Sequence, residues 1–373
     1  MTAEPSKMTS ETELLLSKMP ELDASDLHLK ANSPPIYRVH GLPRRAEARV
    51  LSMEEVAQLA AEIMTDRQKQ ILAEIGTVDF AYSISGVGRF RLSVFRQRGS
   101  VSLAARRVRV GIPSLEDLNL PKAITRVAGY PDGLVLVVGA TGSGKSTTIA
   151  AVLGRINASR RCHILTIEDP IEYMYHDDKA FINQREVGID VPSFHEALKF
   201  GVRQDPDVIL VGEMRDSDTI ETALSASETG HLVFGTLHSI GASQTPGRIL
   251  DFFPDYRQPQ IRQLVSTTLR AIVAQKLLPC VKQGIPRIPA VEIMFSNAVI
   301  RKIIQEGDDP RINEVIRAQV KDGMQDFNMS LFHLVQGEYV TEEVAASASA
   351  YPEQLRMLLK GMVLNIDQTA YKV

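Results

Sequence analysis

Apolar and polar positions change their period several times along the chain. Residues 11–19 place Leu14, Leu15, Leu16 and Met19 at helical spacing, which predicts a short amphipathic helix. From Ser25 to Arg45 the pattern alternates, as in Leu27-His28-Leu29 and Ile36-Tyr37-Arg38-Val39. Pro34-Pro35 and His40-Gly41 punctuate it, so strands joined by turns are expected. Residues 52–74 return to helical periodicity and open with Ser52 and Glu55 at capping-box spacing. Val78–Tyr82 and Gly88–Phe95 alternate again. Residues 1–110 thus read as a small α+β domain, followed by a linker at 111–116 that opens with Gly111-Ile112-Pro113-Ser114.

Beyond the linker, strand-like runs alternate with helical stretches: Leu134–Gly139, Ser146–Arg155, His163–Ile167, His195–Val202, Val208–Gly212, Thr219–Ser227 and His231–Leu237. Such alternation predicts an α/β domain over 117–373, with a mainly parallel sheet and helices on its faces. Past about residue 260 the pattern reads as mostly helical.

Composition narrows the classes. The chain has 373 residues, 44% hydrophobic and 23% charged, which is ordinary for a globular protein and excludes disorder as its main state. At ~150 residues per domain, two domains are expected. Lys plus Arg number 42 and Asp plus Glu 45, a net charge of −3. A general nucleic-acid binder usually shows a basic excess, so no nucleic-acid partner is expected. The only cysteines, Cys162 and Cys280, form no CxxC pair, which excludes a zinc ribbon and a disulfide framework and suits a reducing compartment. The N-terminus has no secretory pattern, and no window approaches the ~20 apolar residues of a membrane span. A soluble, cytoplasmic protein is expected, with any membrane role exerted through a partner.

The most specific motif is Gly139-Ala140-Thr141-Gly142-Ser143-Gly144-Lys145-Ser146, which matches GxxxxGK[ST] at every fixed position. A strand enters it and a helical stretch beginning at Thr147 leaves it. Glycines let successive N–H groups turn around a phosphate chain, and the helix N-terminus adds roughly half a positive charge. Lys145 would reach the β- and γ-phosphates of ATP, and the Ser146 hydroxyl would ligate Mg²⁺.

Phosphoryl transfer to water also needs carboxylates. The run Val208–Val211 ends in Gly212-Glu213, so Gly212 stands where a metal-directed Asp is common and Glu213 is the carboxylate at the strand tip. Glu168, Asp169 and Glu172 follow a second strand. Orienting water and steadying Mg²⁺ fall to Glu213 and Glu168, with the division between them open. His231 and His238 bracket another strand and suggest a γ-phosphate sensor; a zinc pair fits the spacing poorly. Arg203 precedes the Glu213 strand and is a further candidate for the nucleotide site. Arg89, Arg91, Arg96 and Arg98 crowd one segment of the first domain. As strand residues, Arg89 and Arg91 would share a face, as would Arg96 and Arg98. Either this is a solvated basic strand or its guanidinium forks serve as sensors of nucleotide.

Five further segments follow in order: Glu168-Asp-Pro-Ile-Glu-Tyr173, Gln184-Arg-Glu-Val-Gly188, Arg203-Gln-Asp-Pro-Asp207, Gly212-Glu-Met-Arg-Asp216 and Gly230-His-Leu-Val-Phe-Gly-Thr-Leu-His238. With them the chain resembles the secretion-superfamily ATPases of type IV pilus and type II secretion machines, and among these the PilT-like retraction ATPases, PilU included. The resemblance runs from about residue 12 to 365. It implies a RecA-like P-loop core with an N-terminal α+β PAS-like domain, a homo-hexameric ring, and ATP/ADP with Mg²⁺. It further implies an inner-membrane pilus platform protein as partner, and a paralogous ATPase as another. Localisation would be cytoplasmic, peripheral at the inner membrane. By the same resemblance Gly139–Thr147 form the phosphate loop and Glu168–Glu172 the acidic box. Glu213 is the Walker B carboxylate, and His231–His238 the His box. Arg91, Arg96 and Arg98 are the first-domain arginines that touch nucleotide. Two segments depart from the family pattern: Ser239-Ile240 replace Thr-Asn after the His box, and Lys302 and Gln305 replace Asn and Arg in the segment matching AIRNLIRE. The implied function is an ATP-hydrolysing motor for pilus retraction and twitching motility. Alternatives are a related motor for pilus assembly or type II secretion, a nucleic-acid translocase on the same core, and a non-catalytic ring subunit.

Overall fold

A computed structural model describes residues 10–108 and 111–361. Both chain ends, and residues 109–110 before the expected linker, lie outside the described residues. Among the described residues no helix is long and apolar enough to cross a membrane. By its contacts the chain divides into two units, residues 1–111 with 170–174, and residues 112–169 with 175–373.

The first unit runs α1 (Glu11–Glu21), β1 (Ala24–Lys30), β2 (Ile36–Val39), β3 (Leu42–Arg45), α2 (Met53–Glu62), α3 (Asp66–Ile75), β4 (Thr77–Ile84), β5 (Gly88–Gln97) and β6 (Ser100–Arg107). The described strands form an antiparallel sheet in the order β3-β2-β1-β6-β5-β4. Phe90, Leu92 and Val94 of β5 alternate into a core shared with Leu16, Val56, Leu59 and Leu72 from the helices. The helical stretch at 52–74 is two helices. Ser52 caps the first with Glu55, and Thr65 opens a second capping box with Gln68, so the backbone leaves the helix between them.

The second unit runs β7 (Gly133–Val138), α4 (Lys145–Ser159), β8 (His163–Glu168), β9 (Phe181–Glu186), α5 (Phe194–Gly201), β10 (Val208–Val211), α6 (Ser217–Glu228), β11 (Leu232–Leu237), α7 (Thr245–Leu250), α8 (Gln258–Thr268), β12 (Leu269–Pro279), β13 (Arg287–Phe295), α9 (Ala298–Glu306), α10 (Ile312–Ala318), α11 (Phe327–Gln336), α12 (Glu342–Ala348) and α13 (Pro352–Leu359). Its sheet has the order β13-β12-β7-β11-β10-β8-β9, parallel throughout except for the β12–β13 pair. Every residue of β7, β8, β10 and β11 is buried, as expected when helices cover both faces of a parallel sheet. This is a RecA-like core, with β11 between the phosphate-loop strand and β10. Helices α11 and α13 build a smaller cluster with Leu278, Ile288 and Ala290.

Past residue 260, α9 to α13 follow a long hairpin of β12 and β13 that the periodicity did not predict. β13 is buried after its first residue and β12 from Ala271 to Gln275, so these apolar runs do not alternate and do not differ in pattern from a buried helix.

Candidate active site

The phosphate loop leaves the carboxyl end of β7 and closes into α4. Its first glycine, Gly139, has φ +150°, and a Cβ there would stand 2.4 Å from the Gln275 carbonyl oxygen and 2.6 Å from Ser143 Oγ. Only glycine lets the loop turn this tightly. Gly144, at φ +93°, is the N-cap of α4 and offers no side-chain acceptor, so the helix's first N–H groups stay available to a ligand. Lys145 Nζ donates to the carbonyls of Gly139 (2.9 Å) and Ala140 (3.1 Å), which holds the ammonium in the curl of the loop. Ser146 is exposed and Thr147 half-buried in the first turn of the helix. The Ser143 hydroxyl is buried without a hydrogen-bond partner among the described residues. From β12, Gln275 supports the loop from behind: its Oε1 accepts from the Thr148 hydroxyl at 2.7 Å. A cradle with no room for a Cβ, an unpartnered hydroxyl and an open helix start fit a phosphate chain.

The acidic residues stand at the same edge of the sheet. Parallel pairing aligns Val211 of β10 with Ile167 of β8 and Gly235 of β11, and Leu237 of β11 with Val138 of β7. Glu168 and Glu213 therefore emerge at the carboxyl ends of their strands, the edge at which His238 follows β11. Ligands of parallel α/β sheets bind at that edge. Gly212 occupies the expected Asp position because a Cβ there would meet the Ile167 carbonyl at 3.0 Å and Glu168 Cα at 3.3 Å. The Gly212 carbonyl accepts from the Thr236 hydroxyl at 2.6 Å. Glu213 takes a bidentate fork from Arg215, with both N···O distances 2.6 Å, and a hydrogen bond from His238 Nε2 at 3.1 Å. Burial works against the Glu213 charge. The hydrogen bonds and charge of Arg215, with those of His238, nevertheless hold the carboxyl below the usual carboxylate range. Glu168 is buried, and its Oε1 accepts from the Thr166 hydroxyl (2.7 Å) and the Gln184 amide (3.2 Å). Asp169 is exposed beyond it, and its charge reaches Arg215.

The family model described as type II/IV secretion system protein matches residues 103–344. The Pseudomonas aeruginosa type IV pilus retraction ATPase PilT is 41% identical over 339 residues, 91% of this chain and 98% of PilT. The chain belongs to the type II/IV secretion system protein family, among the PilT-type ATPases. Type IV pilus ATPase PilU of the same organism is 39% identical, covering 94% of this chain and 91% of PilU. A crystal structure of the retraction motor PilT with bound ADP superposes with a TM-score of 0.86 at 42% identity, covering 94% of this chain and 99% of that one.

In this PilT-type core the structure separates residues that the motifs suggested together. His231 lies at the amino end of β11, where its backbone carbonyl accepts from Gly133, the first residue of β7. Its Nδ1 donates to the Ala226 carbonyl at 3.0 Å. With a rise of ~3.3 Å per residue, seven residues of strand separate it from His238 by roughly 23 Å. The paired-histidine sensor is thus corrected: only His238 stands at the phosphate-loop edge. Arg203 is corrected likewise. It is exposed in the turn between α5 and the amino end of β10, again at the far edge. Glu172 is exposed in the 170–174 segment, which groups with the first unit.

In the first unit, Arg91 is exposed on the face of β5 opposite the core residues Phe90 and Leu92. Arg96 has the parity of the core residues but lies beyond them, exposed. Arg98 is not in the strand. With Gly99 it forms the two-residue turn to β6, both at positive φ (+47° and +78°), so Arg96 and Arg98 do not share a strand face.

Sequence reasoning passed over Arg215, Gln275 and Gln184. Arg215 and Gln184 lie within motifs quoted above, and a charge two positions after the strand-tip carboxylate was the available signal for Arg215. Gln275 had no signal, because its strand was not recognised.

Proposed function

We propose that this chain is a homo-hexameric, ATP-hydrolysing motor that powers type IV pilus retraction. It acts at the cytoplasmic side of the inner membrane through a pilus platform protein, with a paralogous ATPase as a second partner. The observation that carries the reading is the Glu213–His238–Arg215 cluster on the same sheet edge as the phosphate loop, in a chain similar to PilT over nearly its full length. Gly139–Thr147 hold the phosphates, with Lys145 against the β- and γ-phosphate charge. Ser146, with Glu213 and Glu168, would hold Mg²⁺, which when bound offsets negative charge on the β- and γ-oxygens. Glu213 accepts a hydrogen bond and then a proton from the attacking water as the water oxygen bonds to the γ-phosphorus, and the proton passes on to the departing phosphate. The bond to the β–γ bridging oxygen breaks, leaving ADP and phosphate. Arg215 and His238 keep Glu213 ionised and aligned until that water draws on one of its oxygens. Glu168, fixed by Thr166 and Gln184, stands as the second carboxylate beside Asp169. Arg91, Arg96 and Arg98 are proposed nucleotide contacts on the family resemblance, and single Arg→Lys changes that leave kcat untouched would remove them.

The test is ATPase activity against protein concentration, with mass measured on the same samples. The reading expects specific activity to rise as hexamer forms. Full activity at concentrations where only monomer exists would overturn the ring, and none at any concentration would overturn the motor.

A further inference from the structure

Strand β13 is apolar and buried along most of its length, yet Glu292 stands in its middle at 6% exposure. Burying a carboxylate is costly unless its oxygens are needed as acceptors. The acceptor is needed by the turn that follows His238. Glu292 Oε1 takes the Ala242 N–H at 2.6 Å, and the Phe327 N–H also faces the carboxyl. A Cβ on Gly241 would stand 3.0 Å from the same oxygen, so the turn's backbone lies against the carboxylate. Around it, the buried Thr245 hydroxyl donates to the Gly241 carbonyl at 2.8 Å, and Ser239 Oγ lies 3.2 Å from that carbonyl. Ile240 at its tip is 69% exposed, while Ala242 packs its methyl into the apolar core. Buried polar atoms, with Glu292 at their centre, hold the backbone of a turn whose only core side chain is a single methyl, and the turn begins next to His238.

We infer that Glu292 is a positioning residue: it pins the Ser239–Ala242 turn to the sheet and so keeps His238 on Glu213. This rests on the reading that Glu213 and His238 belong to the hydrolytic site. The charged groups facing Glu292 fit the role. Lys276 on β12 attracts its negative charge, while Asp326, ahead of α11, opposes it and is itself paired with Arg317 at 2.8 Å. Lys276 directs its ammonium to the Ala348 carbonyl at 2.8 Å, so it does not take the oxygen that the turn uses. The Glu292 carboxyl is pushed up to about 7 by burial. Protonation adds a donor and leaves an oxygen to accept from Ala242, so the pin survives either state.

The experiment uses the full chain, with steady-state kcat and KM for ATP and counting of nucleotide sites. Variants are E292Q, E292L, H238A, the H238A/E292L double variant and E213Q. E292Q keeps an oxygen for Ala242 and should hold kcat within about twofold, whereas E292L should lower kcat about tenfold or more with KM nearly unchanged. In the H238A background E292L should cost nothing further, because its effect passes through His238. Should E292L not fold, G241A carries the comparison, since its Cβ intrudes on the same oxygen from the turn. It should lower kcat in the same way, and only while His238 is present. Wild-type kcat in both E292L and G241A, or an equal loss with and without His238, overturns the inference while a slow E213Q keeps the site reading. A fast E213Q overturns the site reading and the inference with it.

Discussion

His163 and His238 stand at opposite edges of one mainly parallel sheet, and their surroundings differ in kind. At the amino edge His163 is buried, stacked on Phe181 with ring centroids 4.3 Å apart. Its Nδ1 meets the Asp205 carbonyl at 3.1 Å and its Nε2 the Asn183 side-chain oxygen at 2.9 Å. Asp207 clamps the same residue's backbone, accepting from the His163 N–H at 2.8 Å. These polar groups close turns, and Asp205 holds one of them at φ +56°. At the carboxyl edge His238 is 45% exposed and reaches Glu213, which also takes the Arg215 fork. The phosphate loop adds a helix start without a side-chain cap and an unpartnered Ser143 hydroxyl. Similar residue types serve structure at one edge and stand ready for a ligand at the other. The cause is topological: helices begin after the carboxyl ends of parallel strands, and their free N–H groups gather there.

The harshest way to break the contrast is Lys145→Ala. It removes the cation held in the loop, and turnover should fall at least about a hundredfold, with ATP affinity falling alongside. Equilibrium nucleotide binding beside an ATPase assay checks this, and wild-type affinity would remove the loop from the site.

A second way uses pH. The buried Glu292 carboxyl is raised from 4.5 to about 7 in the folded chain. The folded state then binds the proton more tightly than the unfolded state, so stability from this group is present below pH 4.5 and is lost as pH rises through about 7. Across that window, denaturant unfolding should show the wild type losing roughly 3 kcal/mol relative to Glu292→Gln. Parallel pH curves for the two proteins would place the carboxyl in a wetter setting.

The mildest change sharpens the comparison from the other edge. His163→Ala should cost about 1–2 kcal/mol of unfolding free energy while leaving kcat within about twofold. A large kcat loss at full stability would mean that the amino edge takes part in the chemistry.

The two edges were not equally legible in the sequence. The phosphate loop was legible because its chemistry is written in contiguous residues, and the strand before it and helix after it are local patterns. Glu168, Glu213 and His238 were legible as strand-tip residues. That His231 belongs to the opposite edge was not drawn from the pattern, although one strand of that length cannot present both ends to one ligand. Gln275 and Glu292 stayed hidden with β12 and β13, whose doubly buried runs carry neither a period of two nor a helical stripe. The break between α2 and α3 hid for a related reason: Thr65 and Gln68 repeat the capping signal inside a pattern that otherwise continues.

Under the proposed function, the carboxyl edge hydrolyses ATP through Glu213. Glu213→Gln keeps the side chain's shape and removes its charge, so a single-turnover assay with radiolabelled ATP isolates its part in hydrolysis. The variant should bind ATP with near-native affinity and retain it, with phosphate release slowed by about two orders of magnitude or more. Phosphate release at the wild-type rate from Glu213→Gln would contradict that role.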